Sequence, residues 1–196
     1  MDARYLKAST ALPSPVKVCG KVLLPFCLRH RLLLESIDSP FLKPENSSFR
    51  AWDVIVAVRI LSGYDKQCIG KPLTLREWFQ FQFLRRNRTV LAKNVGRIIG
   101  YLSINFSYPK FWEKESSGKK VEKLPWVLSC VSTLTRNGCT LEEAWTMPES
   151  EAIWMSVCHG IYNGNEIQIL STEEEEQLDN FDEIVNKFKS RMGDIK

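Results

Sequence analysis

Apolar residues recur along this chain mainly with the spacing of α-helices. Across residues 50–62 they cover every face of the predicted helix, which is typical of a helix at the centre of a protein. Across residues 73–106 one sector is apolar and the opposite sector is basic. A break is expected there at Asn87 or Asn94, because the span is long for a single helix. The last predicted helix, which begins at Ser171, carries an apolar stripe opposite a run of acidic residues.

Capping and turn residues separate these helices from one another. Thr140 with Glu143, and Ser171 with Glu174, have the spacing of capping boxes, in which each side chain binds the other residue's backbone N–H. Prolines that can occupy a first helical turn are Pro25, Pro125 and Pro148. Near the N-terminus, valines around Gly20 allow either a short β-hairpin or an extended segment. The sequence therefore predicts a mainly α fold, an irregular helical bundle of about six to eight helices that allows a short N-terminal β-hairpin.

Charge is distributed unevenly along the chain, although the net charge is only +4. Residues 1–110 contain 18 Lys+Arg and 7 Asp+Glu, whereas residues 111–196 contain 9 and 16. The sign changes within a stretch of Ser, Gly, Lys and Glu that has the composition of a flexible linker. We therefore predict a basic N-terminal helical region (1–107), a linker (108–123) and an acidic C-terminal helical region (124–196) that ends in an amphipathic helix. The two charged regions can face each other or face different partners.

The histidines and cysteines do not have the spacing that catalysis or metal binding requires. His30 lies between two arginines with no nucleophile nearby in sequence, so we interpret it as a structural or surface histidine. His159 follows Cys158 directly, and successive helical side chains point about 100° apart. The best candidate for a zinc site combines Cys158 and His159 with Cys130 and Cys139, but these residues lack the close ligand spacing of zinc sites. We therefore predict no catalytic residues, no metal and no cofactor, and a Cys/His-dependent enzyme or zinc protein is the least favoured alternative.

The chain also lacks the sequence signals of export and of membrane insertion. Its longest apolar runs are far shorter than the roughly 20 residues that a membrane-spanning helix needs. Residues 1–17 mix charged residues with Ser, Thr and Pro, and contain no apolar segment of a signal peptide. We therefore expect a soluble, cytoplasmic protein that does not bind a membrane and whose six cysteines stay reduced.

The tryptophans are candidates for either the core or a binding surface. We expect Trp52 and Trp126 to pack in the core. Trp145 and Trp154 lie in two similar short segments that place indole rings on consecutive predicted helices, and Trp is enriched at protein interfaces. We therefore interpret the chain as a non-catalytic factor that binds another protein. The predicted partner-binding residues are Trp145, Met147, Trp154, Phe181 and Phe188.

A basic segment supports an alternative function, nucleic-acid binding. The candidate contacts are Arg85, Arg86, Arg88, Lys93 and Arg97. Phe79, Phe81 and Phe83 precede these cations, and such a combination can contact phosphates and stack with bases. Against this alternative, phenylalanines more often fill a core, and the acidic C-terminal region would repel the same ligand.

Two segments share a pattern of apolar and proline positions with a known protein family. The first is LPFCLRHRLLLESIDSPF, from Leu24 to Phe41, followed by the helix that begins Ala51-Trp52-Asp53. The second is GCTLEEAWTMPESEAIW, from Gly138 to Trp154. They resemble the front half and the second helical pair of the tail assembly chaperones and related small proteins of tailed-phage morphogenesis clusters. The resemblance extends over about half of the chain.

The resemblance implies a mostly helical, non-catalytic chaperone. Such proteins hold the long, apolar and aggregation-prone tape-measure protein in the infected cell, help to recruit tail-tube subunits around it, and are absent from the finished virion. Their C-terminal regions are acidic and helical, which Ser171–Arg191 resembles. The implied partner is the tape-measure or tail-tube protein, and the implied location is the cytoplasm of the host cell.

Overall fold

A computed structural model describes Arg4 and residues 15–43, 48–106, 108, 111–113, 125–164, 167–171, 173–178 and 180. The protein is mainly helical with a short hairpin near its N-terminus, which confirms the predicted fold class. Within the described residues the helices are α1 (Leu28–Ser36), α2 (Ala51–Leu61), α3 (Leu75–Arg86), α4 (Arg88–Asn105), α5 (Trp126–Arg136), α6 (Leu141–Thr146) and α7 (Glu149–Tyr162). The strands are β1 (Lys17–Val18), β2 (Lys21–Val22), β3 (Phe111–Glu113) and β4 (Ile167–Ile169), and short 3-10 helices span Pro40–Leu42 and Cys68–Gly70.

The chain forms two compact units. The first comprises residues 1–108 and 121–159, and the second comprises residues 109–120 and 160–196. No helix in the described part of the chain combines the length and the apolar character needed to cross a membrane.

Helix α2 lies at the centre of the first unit, as its apolar residues on all faces predict. Eight of its eleven residues are buried. They form one core cluster with side chains from the hairpin, α1, α3 and α4, including Leu84 and Ile98, and with Phe26 and Phe41 from the segments on either side of α1. The long apolar pattern thus yields a helix that other elements surround except at the exposed Trp52.

The N-terminal hairpin packs on α3 and α4. Strands β1 and β2 pair antiparallel, and the turn between them consists of Cys19 and Gly20, both with positive φ (50° and 72°). The Gln80 side chain donates a hydrogen bond to the Cys19 carbonyl at 2.6 Å. Gly20 suits this turn because its φ of 72° is a conformation that L side chains rarely adopt; a Cβ there would lie 2.9 Å from the Arg76 guanidinium, which would have to move aside.

The predicted break in the long amphipathic segment is confirmed at Asn87. Its backbone is extended, its N–H donates to the Phe83 carbonyl at 3.1 Å, and its side-chain oxygen accepts from the Val90 N–H at 3.1 Å. Asn87 therefore ends α3 and caps α4. Asn94, the other position considered, lies inside α4, where its side chain is buried and donates to the Val90 carbonyl at 2.8 Å.

Helices α5, α6 and α7 form a second cluster on α1. Leu28 of α1 is buried among Val127, Val131 and Leu134 of α5 and small residues of α6 and α7. The predicted capping box at the start of α6 is confirmed: the Glu143 N–H donates to the Thr140 hydroxyl at 3.3 Å, and the Thr140 N–H donates to the Glu143 carboxylate at 2.9 Å. Helix α1 therefore joins both clusters of the first unit.

Two ion pairs connect α1 with the acidic part of the chain. Arg29 forms a bidentate pair with Glu142 at 2.7 and 2.8 Å, and Arg31 forms one with Glu149 at 2.9 and 2.5 Å. The Arg31 guanidinium also lies 4.6 Å from the centre of the Phe106 ring. Basic and acidic segments that are far apart in sequence thus face each other within one compact unit.

The second unit contains a strand pair. β3 and β4 are antiparallel, with Phe111 opposite Ile169 and Glu113 opposite Ile167. Strand β3 falls within the stretch predicted as a flexible linker. This segment is ordered as a strand because pairing with β4 satisfies its backbone hydrogen bonds. The rest of residues 108–123, apart from Tyr108, lies outside the described residues, and the division of the chain at 108–123 stays a prediction.

The second predicted capping box, which follows β4, is also confirmed. The Glu174 N–H donates to the Ser171 hydroxyl at 3.2 Å, and the Ser171 N–H donates to the Glu174 carboxylate at 2.7 Å. Residues 173–178 are helical. Phe181 and Phe188, which complete the predicted apolar stripe, lie outside the described residues.

Candidate binding surface on helices α3 and α4

Helix α3 buries a carboxylate and exposes its aromatic rings. Its buried residues are Glu77 and Leu84. The side facing solvent carries Leu75, Trp78, Phe79 and Phe83, which are 80%, 46%, 64% and 58% exposed. We call these four residues the α3 aromatic face. Large apolar side chains are normally buried and carboxylates normally exposed, so the burial of Glu77 on a helix with exposed rings needs a specific cause.

The cause is a network of charged groups around Glu77. Arg59 donates to its carboxylate at 2.5 Å and Lys21 at 3.0 Å, while the Thr74 hydroxyl and Glu77 form a capping box. The hydrogen bond from Arg59 is the main reason that the pKa of Glu77 is held well below its usual range. The carboxylate is therefore ionised, and its partners hold it on the inner side of α3.

The inward position of Glu77 determines where the aromatic residues point. Successive residues of an α-helix are about 100° apart, so Leu75 and Phe79, each two positions away, lie about 160° round the axis from Glu77. Phe83 lies about 120° from it on the same count. The ion pair that fixes Glu77 thus turns the α3 aromatic face towards solvent.

Neighbouring rings on this surface meet edge to face. The rings of Trp78 and Phe79 are 5.1 Å apart at an interplanar angle of 77°. Trp52 of α2, which is also exposed, packs against Phe81 at 6.2 Å and 86°. The prediction that Trp52 and Trp126 pack in the core is wrong, because both are exposed. Trp52 instead extends the aromatic surface beyond α3.

A run of cations follows the α3 aromatic face along the chain. Arg85 and Arg86 end α3, and Arg88, Lys93 and Arg97 follow on α4; all five are exposed. None of them forms an ion pair with a carboxylate among the described residues, and Arg97 donates to the Lys17 carbonyl at 3.4 Å. Between residues 75 and 105 the sequence contains one acidic residue, Glu77, which is buried. We call these five cations the α3–α4 cations.

No protein-family model matches this chain, and neither a curated protein nor a solved structure matches it at a significant level. The exposed side chains themselves must therefore carry the functional assignment.

The structure does not bring the predicted partner-binding residues together on one exposed surface within the described residues. Trp154 is buried at 6% exposure. Trp145 and Met147 are half-buried and pack against the cluster that contains Leu28. The role of these residues, and of Phe181 and Phe188, in binding stays a prediction.

The sequence indicates that the three phenylalanines of α3 cannot all be buried. Phe79, Phe81 and Phe83 were expected to fill the core, but at about 100° per residue these three span roughly 200° of the helix. They cannot all lie on one buried face, and the structure exposes Phe79 and Phe83 while half-burying Phe81. The Thr74–Glu77 capping box, which was not predicted, indicates where α3 begins.

His30 is a structural histidine, one of the two roles expected for it. The ring is fully buried: its Nδ1 accepts from the Cys27 N–H at 3.4 Å, and Nε2 lies 2.9 Å from the Gly63 carbonyl. These partners require neutral imidazole with the proton on Nε2. It also stacks on Tyr64 with ring centres 5.4 Å apart. Burial lowers the pKa of His30, and this shift favours the neutral form.

The cysteines considered as zinc ligands are free thiols in different environments. Cys130 and Cys139 are partly buried, and Cys158 is exposed. Burial raises the pKa of Cys130. Within the described ranges, no three His, Cys, Asp or Glu residues have an arrangement that could hold a metal ion.

Proposed function

We propose that this chain is a non-catalytic protein-binding factor that holds another polypeptide on the α3 aromatic face. The exposure of four large apolar side chains on one face of α3 carries the proposal. Burying such a side chain contributes about 1.5–3 kcal/mol, so a partner that covers this face gains substantial free energy. Contiguous apolar patches on soluble proteins are often interaction sites.

The resemblance to tail assembly chaperones supplies a specific partner. We propose that this partner is the tape-measure protein and that the chain assists tail-tube assembly in the cytoplasm of an infected cell. A surface of aromatic rings suits the capture of a long apolar polypeptide, because rings provide large contact area with few rotatable bonds. The proposal assigns this contact to α3 in addition to the predicted residues near Trp145.

Substitutions at Phe79 and Phe83 test this function. Both side chains face solvent, so Phe79→Asp with Phe83→Asp should leave the fold intact while introducing charges into the contact. Retention of a co-expressed tape-measure protein on the tagged chain should fall by at least about tenfold, the loss expected when two central contacts are removed.

Tyr162→Asp is the matched control. Tyr162 is 90% exposed and lies at the end of α7. Far-UV circular dichroism should show that all variants keep wild-type helicity. Equal capture by wild type and by the Phe79/Phe83 variant would refute a role for the α3 aromatic face, whereas Tyr162→Asp should bind like wild type.

The α3–α4 cations favour a second candidate function, nucleic-acid binding. Five exposed cations without carboxylate partners among the described residues can contact phosphates. A gel shift with a single-stranded oligonucleotide would detect this binding, which should weaken steeply between low and moderate salt because counterions are released. Binding that is absent at low salt would exclude this function.

A further inference from the structure

The charge around the α3 aromatic face indicates what kind of polypeptide fits it. Arg76 lies beside Leu75 at the beginning of α3, and Arg85 and Arg86 lie at its end. Arg88 lies in the first turn of α4, where the helix dipole disfavours a cation and favours an anion. The C-terminal end of this face is therefore positive.

We propose that the polypeptide bound on the α3 aromatic face is an amphipathic helix whose apolar stripe is flanked by carboxylates. This inference rests on the protein-binding function proposed above, and it specifies the structure and charge of the partner.

The spacing of the exposed apolar residues fits a helical partner. Leu75, Phe79 and Phe83 are four residues apart and form a line roughly 12 Å long on α3. The apolar stripe of an amphipathic helix repeats every three or four residues, so the two stripes can interdigitate. Trp78 widens this line on one side.

Charge complementarity requires the partner to be acidic. The one carboxylate on α3, that of Glu77, is buried and already bound by Arg59 and Lys21. No exposed acidic residue lies on α3 or α4. Carboxylates beside the partner's apolar stripe would therefore meet unpaired cations, which favours this partner over a neutral or basic one.

Ring orientation favours a helix over a single-stranded nucleic acid. Stacking of successive bases requires aromatic faces that are open to the ligand. The Trp78–Phe79 and Trp52–Phe81 pairs meet at 77° and 86°, so in each pair the edge of one ring covers the face of the other. Leu75, the most exposed member of the surface, has no ring to stack.

Two synthetic helical peptides of about 20 residues test the proposal. Both carry leucines on one stripe; one has glutamates and the other lysines beside that stripe. Fluorescence polarisation with the full chain should give a dissociation constant at least about tenfold lower for the glutamate peptide, and added salt should narrow the difference. Arg85→Glu with Arg86→Glu should remove the preference, whereas Lys66→Glu with Arg136→Glu, an equal charge change elsewhere on the surface, should keep it.

The possible results separate this inference from the proposed function. Equal binding of both peptides, lost in the Phe79/Phe83 variant, would overturn the acidic helix but leave the protein-binding function standing. Binding of neither peptide would also overturn the inference, while the tape-measure capture assay tests the function independently. Tighter binding of a single-stranded oligodeoxythymidylate than of the glutamate peptide would assign the surface to nucleic acid. Self-association lost in the Phe79/Phe83 variant would assign it to a second copy of this chain.

Discussion

Individual charged residues determine which side chains of this protein reach solvent. Glu77 turns the aromatic residues of α3 outward, because its carboxylate is bound on the inner side by Arg59 and Lys21. Arg31 has a comparable role on α1. Its guanidinium binds the fully buried Glu149 and lies over the Phe106 ring. Leaving either buried charge unpaired would be costly, so these pairs fix the rotation of their helices.

His30 should make stability depend on pH. Its pKa in the folded state is lowered by burial, so the unfolded chain binds the proton more readily. Stability is therefore complete above the ordinary histidine pKa of about 6.5 and decreases as pH falls below it. Urea unfolding at a series of pH values from neutral to mildly acidic should show this loss, with a slope of at most about 1.4 kcal/mol per pH unit for this group.

His30→Gln provides the comparison for this pH series. The amide keeps a donor for the Gly63 carbonyl but does not titrate, so contributions from all other groups cancel between the two proteins. The variant should be less stable at neutral pH and lose less stability on acidification. Identical pH dependence in the two proteins would show that the His30 pKa is not lowered by folding.

At the scale of single elements, one residue separates the two helices that form the candidate surface. Asn87 is extended (φ −120°, ψ 94°) between α3 and α4 and makes the terminal hydrogen bonds of both. Arg85 and Arg86 lie in the last turn of α3, where cations are favourable beside the helix dipole. The position of Asn87 thus places Arg85 and Arg86 at a favourable helix end and Arg88 at an unfavourable helix start.

Asn87→Ala should destabilise the protein by about 1 kcal/mol. The substitution removes the side-chain acceptor for the Val90 N–H, and loss of such a cap typically has this cost. Asn87→Ser retains an acceptor and should lose at most a few tenths of a kcal/mol. Urea denaturation followed by far-UV circular dichroism measures both. Equal stability of the alanine and serine variants would contradict the capping role.

At the scale of the whole molecule, opposite charges connect distant parts of the chain. Arg29 and Arg31 have partners 113 and 118 residues away, and the same helix contributes Leu28 to the cluster of α5, α6 and α7. The uneven charge of the sequence is therefore partly neutralised inside the first unit. The α3–α4 cations are among the cations that remain exposed in the described residues of the basic region.

This connection predicts cooperative unfolding of the first unit. Amides of α2, α5 and residues 149–159 should exchange with solvent through a single cooperative unfolding reaction. Their free energies of opening should therefore agree within about 1 kcal/mol. Arg31→Met, which leaves the Glu149 carboxylate without its main partner, should lower all of them together by about 3–5 kcal/mol. Native-state hydrogen exchange read by mass spectrometry tests this. A lower value for α5 and residues 149–159 alone would show that they unfold separately.

The parts of the fold that the sequence predicted correctly depend on local interactions. The all-round apolar pattern identified α2 as central, and the Thr140–Glu143 and Ser171–Glu174 spacings identified two helix starts. The break at Asn87 was one of two positions predicted. In each case the residues that decide the outcome lie within one or two helical turns, so spacing alone is informative.

The sequence by itself determined a mainly helical protein with two of its capping boxes and its opposite charges, and it allowed a short hairpin near the N-terminus. Only the tertiary structure decided that Trp52, Phe79 and Phe83 face solvent while Trp154 is buried. The physical reason is that Glu77 is bound by residues 18 and 56 positions away, and no local pattern shows that these charges meet. A helix with aromatic residues on several faces can pack in more than one rotation, and a long-range ion pair selects one of them.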